Sequence, residues 1–403
     1  MKLIFANNYY YLRGGSERVF FDEMDMLSAY GHKVLPFTRH FEKNILSEYS
    51  RFFPSAMYYD GVSSIKKFLS AFKLIYSLET KAKFSELLEY AKPDVIHFHN
   101  IYGRLTSSII DSAKSRKIPI VMTLHDYKLI CPSYLMLLNS KPCERCKGRK
   151  FYNPLFTLCH KNNFLASAIY TIESYFNLWF KKYDWIRFFI CPSKFSMNIH
   201  LEAGIPEEKL IHIPNFIKLK NFEPDYEPGN YILFVGRLSQ EKGVLTLLKA
   251  VKGLDIELKI VGDGPIRKEY EKYIRNERIT NVTFEGYKSG EELKSLYKNS
   301  AFVIFPSEWY ENAPMTILET SAYGKPIIGS NIGGISEMII NEKTGLLFEP
   351  GDYNGLREKM KYLLSNPSLI TRMGKDARKR AEEEYNAELH YKRLMEVYGK
   401  AIG

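Results

Sequence analysis

Short apolar runs alternate with helix-forming segments from one end of this chain to the other. Most of the runs are nearly continuous in hydrophobic residues, as expected for parallel strands that are covered on both faces. They occupy residues 3–7, 33–38, 94–99, 118–125, 188–192, 231–236, 256–262, 282–286, 301–305, 326–329 and 345–348. This alternation predicts an α/β fold built from doubly wound parallel sheets.

The chain has 403 residues, which is more than one hydrophobic core usually organises, so two domains are expected. The alternation breaks at residues 216–230, a stretch with two prolines and no periodicity that we interpret as a linker. We therefore predict a first domain over 1–215, with an irregular insertion at about 126–163, and a second domain over 231–374. The helical segment 375–403 is expected to return to the first domain.

Composition excludes several protein classes. Apolar residues make up 45% of the chain and charged residues 26%, which is ordinary for a globular protein and excludes a disordered one. The apolar stretches are shorter than the roughly 18 residues of a membrane span, and the first residues resemble a strand and not a signal peptide. Five cysteines are too few for a secreted disulfide scaffold. We therefore expect a cytoplasmic protein.

Positive charge is concentrated in the first half of the chain. Residues 1–212 carry a net charge of +10, whereas the remainder carries +1. Segments 65–76 and 175–185 combine lysines with apolar residues, as basic amphipathic helices do. These segments predict peripheral binding to the cytoplasmic face of an anionic membrane. The alternative is that both helices pack on the first domain with solvated lysines. We expect no nucleic-acid partner.

Several residues that could bind ligands follow predicted strands, where open α/β sheets hold their ligands. Gly14 and Gly15 open a helix whose first amides could bind phosphate, although a tight turn explains them equally well. Arg237 and Lys242 share a strand-to-helix loop, and two cations at that spacing can neutralise a diphosphate. Most surface cations bind nothing, so this motif alone does not establish a site.

Two glutamates follow the 301–305 run. Glu311 is expected in the loop after that strand and Glu319 in the next helix. A loop carboxylate can accept hydrogen bonds from sugar hydroxyls, and a helix carboxylate can bind a ribose diol. The alternative is a pair of solvated carboxylates, since glutamates at this spacing are common by chance. We expect Lys242 and Glu311 both to lie in exposed loops.

Taken in chain order, these motifs resemble the retaining glycosyltransferases of family 4. Further matching motifs are Thr-Leu-His at 123–125, Val-Gly-Asp-Gly-Pro at 261–265, Gly-Gly-Ile-Ser-Glu at 333–337 and Thr-Gly-Leu-Leu-Phe at 344–348. The resemblance covers nearly the whole chain and is most specific in the second half. It implies the GT-B fold, in which two Rossmann-like domains face each other across a cleft. It also implies sugar transfer from a nucleotide-sugar donor with retention at the anomeric carbon.

The resemblance implies roles for individual residues. Arg237 and Lys242 would hold the donor diphosphate in place of a metal ion. Glu311 would bind donor-sugar hydroxyls, Glu319 would bind the ribose, and His125 would contact the donor sugar. His125, Arg237, Lys242 and Glu311 form the implied catalytic set. The implied donor-binding residues are Gly14, Gly15, Gly236, Arg237, Lys242, Gly262, Glu285, Gly286, Tyr287, Glu311, Met315, Thr316 and Glu319.

The expected donor is a UDP- or GDP-linked sugar, and no cofactor is required for catalysis. The expected acceptor is a hydroxyl of a lipid-linked glycan in cell-surface polysaccharide synthesis. Two other functions are compatible with the fold: a catalytically silent protein that binds sugar nucleotide or glycan, and a sugar-nucleotide epimerase. The complete residue set argues against the first, and the second needs further acid/base groups that the sequence does not offer.

The predicted insertion contains four of the five cysteines, Cys131, Cys143, Cys146 and Cys159. The Cys-x2-Cys pair predicts a structural zinc bound by all four, because a small segment without its own core gains stability from a tetrahedral metal. Free or partly buried thiols are the alternative. His99 and Asn100 end a predicted strand, where they could contact the acceptor or could simply pack.

Overall fold

The computed structural model describes residues 1–56, 72–160 and 162–403. These residues form two compact units. The first comprises Met1–Leu138, Cys143–Pro214 and His390–Gly403, and the second comprises Asn139–Pro142 and Asn215–Leu389. Most of the predicted basic segment 65–76, including Lys66 and Lys67, lies outside the described residues.

The first unit contains a six-stranded parallel sheet in the order β2-β1-β3-β4-β7-β8. Its strands are β1 (Lys2–Ala6), β2 (Lys33–Phe37), β3 (Val95–Phe98), β4 (Ile120–Thr123), β7 (Phe188–Cys191) and β8 (Leu210–His212). Two short strands, β5 (Leu137–Leu138) and β6 (Lys141–Pro142), fall in the predicted insertion. Among the described residues up to Pro214, the α-helices are Gly15–Ala29, Leu78–Ala91, Ser108–Ser115, Asn153–Thr157, Phe164–Trp179 and Lys194–Glu202.

The second unit contains another six-stranded parallel sheet, in the order β11-β10-β9-β12-β13-β14. Its strands are β9 (Tyr231–Val235), β10 (Glu257–Val261), β11 (Val282–Gly286), β12 (Ser300–Phe305), β13 (Ile327–Ser330) and β14 (Gly345–Phe348). Its helices are Val244–Val251, Arg267–Asn276, Gly290–Lys298, Met315–Ala322, Ile335–Met338, Tyr353–Leu364 and Pro367–Glu384.

Each sheet has its own hydrophobic core, formed with the helices that pack on its faces. Phe37, Phe84 and Phe98 are completely buried in the first unit, as are Phe302 and Leu356 in the second. Two parallel-sheet α/β domains confirm the predicted fold class. Every predicted run contains a strand, and β8 is the one strand of these two sheets that the sequence analysis missed.

The last helix, Ala387–Ile402, buries one side against the first unit from His390 onward. His390 and Tyr398 on this helix are buried. His390 forms a hydrogen bond with Glu23, and Tyr398 forms one with His97. Among the helices that the structure describes, none has the length and apolar character needed to cross a bilayer.

Candidate active site

Three of the predicted glycine motifs meet at the carboxyl edge of the second sheet. The amide of Gly236 donates to the carbonyl of Val261 at 3.0 Å, and the amide of Gly262 donates to the carbonyl of Gly286 at 2.7 Å. Gly262 has a φ of +129°, and a Cβ at this position would overlap the Gly236 carbonyl. Glycine is therefore required here for the two strand-end loops to pack backbone against backbone.

Lys242 and Glu311 form an ion pair at the same edge of the second unit. The Lys242 Nζ lies 2.5 Å from Glu311 Oε1, and Ser307 Oγ donates to that oxygen at 2.8 Å. Glu311 is only 7% exposed. The expectation that both residues lie in exposed loops is therefore wrong, because the loop buries the Glu311 carboxylate against a lysine whose side chain is itself only 19% exposed.

Backbone contacts fix the position of the Glu311 loop. The Gly334 amide donates to the Glu311 carbonyl at 2.7 Å. A Cβ at Gly333, where φ is +57°, would come within 2.6 Å of the same carbonyl oxygen. The Gly333-Gly334 motif therefore holds the loop that presents the Glu311 carboxylate.

Arg237 is more exposed than Lys242 and is also paired. Its side chain is 63% exposed, and its guanidinium donates to Glu241 Oε1 at 2.7 Å. Ser239 Oγ donates to the same oxygen at 2.6 Å. Burial acts to raise the pKa of Glu241, but the hydrogen bonds from Ser239 and Arg237 hold it below its ordinary value. Both predicted phosphate-binding cations therefore contact carboxylates of their own unit.

The remaining predicted donor residues make separate contacts in the second unit. Glu319, in the helix Met315–Ala322, accepts a hydrogen bond from the Tyr297 hydroxyl at 3.3 Å. Glu285 Oε1 lies 3.9 Å from Lys259 Nζ, and the neighbouring Tyr287 is exposed. Met315 and Thr316 form the first turn of that helix, with Met315 buried.

The predicted first-unit residues follow β1, β3 and β4. Gly14 is the N-cap residue of the helix Gly15–Ala29, which therefore begins without a side-chain cap. His125, which is partly exposed, has its Nε2 2.8 Å from Nδ1 of His99. His99 is completely buried, so we place it behind His125 and not against an acceptor. The Asn100 amide donates to Asn7 Oδ1 at 3.1 Å.

Burial controls the charge of the strand-end histidine. It lowers the pKa of His125 to about 4, with a smaller opposing effect from the Glu23 carboxylate. His125 is therefore neutral at pH 7. Burial also raises the pKa of the adjacent Asp126 to about 7, although the Lys128 amide donates to its carboxylate.

Comparison with known proteins identifies the family. Residues 13–221, more than half of the chain, match the model of Glycosyltransferase Family 4. The chain belongs to glycosyltransferase family 4. Residues 215–380 of this family 4 protein also match the model of glycosyl transferases group 1.

Related sequences include other glycosyltransferases, and a solved structure shares the fold. The family 4 chain is 27% identical over 321 residues to the uncharacterized glycosyltransferase MJ1178 of Methanocaldococcus jannaschii, covering 79% of this chain and 78% of that one. It is 29% identical to the sulfoquinovosyl transferase SQD2 of Arabidopsis thaliana, covering 74% of this chain and 55% of that one. Sucrose-phosphate synthase from Thermosynechococcus elongatus shares the fold, with a TM-score of 0.72, 20% identity and coverage of 99% and 98%.

One helix of this family 4 protein has reversed polarity. The inward side of the helix Phe164–Trp179 is polar, with Ser167, Thr171, Glu173, Ser174 and Asn177 buried. Its exposed side carries large apolar groups, namely Phe164, Leu165, Ile172 and Trp179. Soluble helices ordinarily place these two kinds of residue the other way round. The outer face is therefore suited to an apolar environment.

A cavity of about 560 Å³ lies beside the polar side of this helix, within the first unit. Its lining includes Ser174, Lys128 and Glu173. Lys128 Nζ and Glu173 Oε2 form a buried ion pair at 2.5 Å. Ser174 Oγ is buried without a hydrogen-bond partner among the described residues. The cavity therefore combines a compensated ion pair with an unsatisfied hydroxyl group.

The four insertion cysteines interact with one another as free thiols. A hydrogen bond from Cys146 lowers the pKa of Cys131 to about 6. The same hydrogen bond and burial raise the pKa of Cys146, with smaller contributions from Cys159 and Cys143. Zinc binds thiolates, and of these thiols Cys131 has a lowered pKa, whereas burial raises the pKa of Cys159. Among the described residues, no three of the four sulfur atoms lie within 4.8 Å of one another. The zinc site stays a prediction.

The sequence analysis missed two buried residues that support the first-unit site, Glu23 and His390. Glu23 is completely enclosed and accepts a hydrogen bond from His390 Nε2 at 3.0 Å. Glu23 lies three residues after Phe20 and four before Leu27, both of which are buried on the same helix. A carboxylate within such an apolar stripe was the available signal, whereas nothing in the sequence pairs it with His390.

Proposed function

We propose that this chain is an active retaining glycosyltransferase whose second unit binds the donor. It transfers the sugar of a nucleotide-sugar, with UDP or GDP as the nucleotide, to a hydroxyl of a glycan acceptor. The observation that carries the proposal is the Lys242–Glu311 pair, which holds a cation at the carboxyl edge of the second sheet. UDP is the nucleotide bound in a solved structure with the same fold, Anabaena HepE with UDP and glucose, at a TM-score of 0.67, 15% identity and coverage of 99% and 100%.

The chemistry assigns a part to each residue. Breaking the anomeric bond builds negative charge on the departing diphosphate, and fixed cations stabilise that charge more than they stabilise the bound donor. Lys242 and Arg237 supply these cations, each preorganised by a carboxylate of the same unit. When the donor diphosphate binds Lys242 in place of Glu311, the Glu311 carboxylate can accept hydrogen bonds from donor-sugar hydroxyls. The leaving phosphate helps to deprotonate the acceptor, so no protein nucleophile is needed.

A turnover assay with a panel of UDP- and GDP-sugars tests this proposal. We expect Lys242→Ala to lower turnover by about two orders of magnitude, the scale for losing one preorganised charge at a developing anion. Lys252→Ala is the matched control, because Lys252 pairs with Glu277 on the surface of the same unit. The control should keep its turnover within a few-fold of the parent. The same result for Lys242→Ala would refute the donor-site assignment. Activity is expected to survive a chelator.

The same assay separates the other candidate functions. A catalytically silent binding protein would be stabilised by a nucleotide sugar in a thermal-shift experiment but would release no nucleotide diphosphate. An epimerase would change the configuration of the sugar without any acceptor. Nucleotide release that depends on a glycan acceptor is the outcome expected for a transferase.

We further propose that the acceptor is lipid-linked and that the first unit meets it at the cytoplasmic face of an anionic membrane. The apolar outer face of the helix Phe164–Trp179 supports this, since its exposed Trp179 and Phe164 could enter the interfacial region. Lys181, just beyond the helix, is exposed and could contact anionic headgroups. One relative, 32% identical over 161 residues, is the O-antigen chain mannosyltransferase C of Escherichia coli, covering 40% of this chain and 43% of that one.

Co-sedimentation with vesicles tests the membrane proposal. We expect binding to anionic vesicles and release by about 0.5 M salt, where the Debye length is only a few ångströms. Replacing Phe164, Ile172 and Trp179 with serine should abolish binding and leave donor binding intact. Tyr362→Ser is the control, because Tyr362 is an exposed aromatic residue of the second unit. Equal sedimentation with neutral and anionic vesicles, or none with either, would contradict the proposal.

A further inference from the structure

A buried chain of ionisable side chains extends from His125 into the first unit. His99 Nδ1 lies 2.8 Å from His125 Nε2, and His99 Nε2 lies 3.5 Å from Glu23 Oε2. The other oxygen of Glu23, Oε1, lies 3.0 Å from His390 Nε2. Glu23 and His99 are at most 1% exposed. Water therefore cannot supply protons freely, and the protein must set the position of each one.

At the far end of this chain, His390 and Glu23 form a buried hydrogen bond. His390 Nδ1 lies 2.9 Å from the Pro214 carbonyl oxygen, and its Nε2 faces the Glu23 carboxylate. Both ring nitrogens of His390 are thus engaged, one by a backbone carbonyl oxygen and one by the Glu23 carboxyl group. Burial acts to raise the pKa of Glu23, but the hydrogen bond from His390 and electrostatic interactions with neighbouring histidines hold it below its ordinary value. Glu23 is therefore a carboxylate.

This carboxylate determines which nitrogen of His99 carries its proton. Burial and the adjacent histidines lower the pKa of His99 well below its usual value, so the ring is neutral and has one proton. His99 Nε2 and Glu23 Oε2 are both buried without a conventional hydrogen bond to any other described atom. A proton on Nε2 faces the carboxylate, whereas a proton on Nδ1 would direct a lone pair at it. The proton is therefore on Nε2.

We propose that Glu23, acting through His99, fixes the tautomer of His125. Because His99 is protonated at Nε2, its Nδ1 accepts a hydrogen bond, and His125 must donate from Nε2. The other ring nitrogen of His125, Nδ1, is then unprotonated and can accept a hydrogen bond from a sugar hydroxyl. Glu23 and His99 are positioning residues, and their catalytic consequence rests on the proposed transferase function.

A metal ion is the competing explanation for this cluster. Glu23, His97 and His99 form the one group of three or more candidate ligands within 4.8 Å of one another in the described part of the chain. However, His97 Nδ1 lies 2.7 Å from the Tyr398 hydroxyl and its Nε2 lies 2.8 Å from Thr123 Oγ1. Both ring nitrogens of His97 are thus engaged in hydrogen bonds. We therefore assign the cluster to proton positioning.

Nitrogen-15 NMR of the full chain with labelled histidine tests the tautomer directly. Correlations between ring carbon-bound protons and ring nitrogens distinguish a protonated from an unprotonated nitrogen, and His125→Gln assigns the signal. We expect the parent at pH 7.5 to show His125 protonated at Nε2. Glu23→Gln should reverse this, because the amide group can donate to His99 Nε2, whereas Glu23→Asp should preserve it. Glu89→Gln, an exposed carboxylate of the same unit, is the control.

Each outcome bears on the proposal. A His125 protonated at Nδ1 in the parent overturns it, even where Glu23→Gln fails to fold. An unchanged His125 tautomer in folded Glu23→Gln also overturns it, as does one equivalent of metal that is lost in that variant. In the turnover assay, Glu23→Gln should lower kcat at least tenfold with donor KM within threefold, and Glu23→Asp should recover most of kcat. If no variant, the parent included, turns over a donor, the transferase proposal fails while the tautomer result still stands.

Discussion

Replacing Lys242 with alanine tests the corrected geometry of the donor site more severely than a loss of activity does. Lys242 and Glu311 have side chains that are 19% and 9% exposed, respectively. Removing the lysine leaves a nearly buried carboxylate whose remaining side-chain hydrogen bond comes from Ser307. The substitution should therefore destabilise the second unit even in the absence of any donor.

The magnitude follows from the burial of the pair. Breaking a fully buried ion pair costs about 3–5 kcal/mol, because the surviving charge is uncompensated. Here the carboxylate keeps one hydrogen bond and some solvent, so we expect about 2 kcal/mol. A unit of this size shifts its Tm by about 2–4 °C per kcal/mol, which gives a decrease of about 4–8 °C. In the double variant Lys242→Ala/Glu311→Gln no charge is left buried, and at least half of that decrease should be recovered.

Calorimetry of the parent, both single variants and the double variant measures this coupling directly. The second transition, if the units unfold separately, should move in Lys242→Ala and partly return in the double variant. A saturating nucleotide sugar should raise the parent Tm but not that of Lys242→Ala. An unchanged Tm in Lys242→Ala, or additive effects in the double variant, would show that the pair does not hold the Glu311 carboxylate.

Three further predictions concern the first unit. Protein purified without a polyhistidine tag should contain about one zinc per chain, bound by the four insertion cysteines; a zinc content near zero in freshly reduced protein would exclude the site. Asp126→Asn should stabilise the protein at pH 8 and have little effect at pH 4. The reason is that the pKa of Asp126 is about 7 in the folded protein and lower in the unfolded chain, so the parent loses stability as the pH rises from the lower to the higher value. Equal effects of the substitution at both pH values in denaturant titrations would contradict this. Ser174→Ala should stabilise the protein by about 1 kcal/mol, because it removes a buried hydroxyl group without a hydrogen-bond partner among the described residues; a loss of stability in denaturant titrations would contradict this.

The fold was predictable because buried parallel strands correspond to continuous apolar runs in the sequence. β8 escaped detection since it has three residues and ends in His212, too short a run to stand out. The glycine motifs were also predictable, because positions such as Gly262 permit only glycine when two loops touch. A requirement of this kind is visible in the sequence at a single position, even though the contacting loop is distant along the chain.

Side-chain partners across long separations were not predictable. Lys242 and Glu311 were both identified, but 69 residues separate them, and nothing local indicates that one neutralises the other. Glu23 and His390 are 367 residues apart, and their pairing depends on the last helix returning to the first unit. Burial and ionisation at these positions are properties of the packed structure.

The return of His390–Gly403 to the first unit has a consequence for synthesis on the ribosome. The first unit begins with Met1, yet the partner of its Glu23 carboxylate is made only after the whole second unit has been translated. The second unit can therefore complete its core while the first still has an open face with an uncompensated charge. We expect the nascent first unit to remain sensitive to protease until residues 390–403 have emerged from the ribosome, an order of maturation opposite to the order of translation.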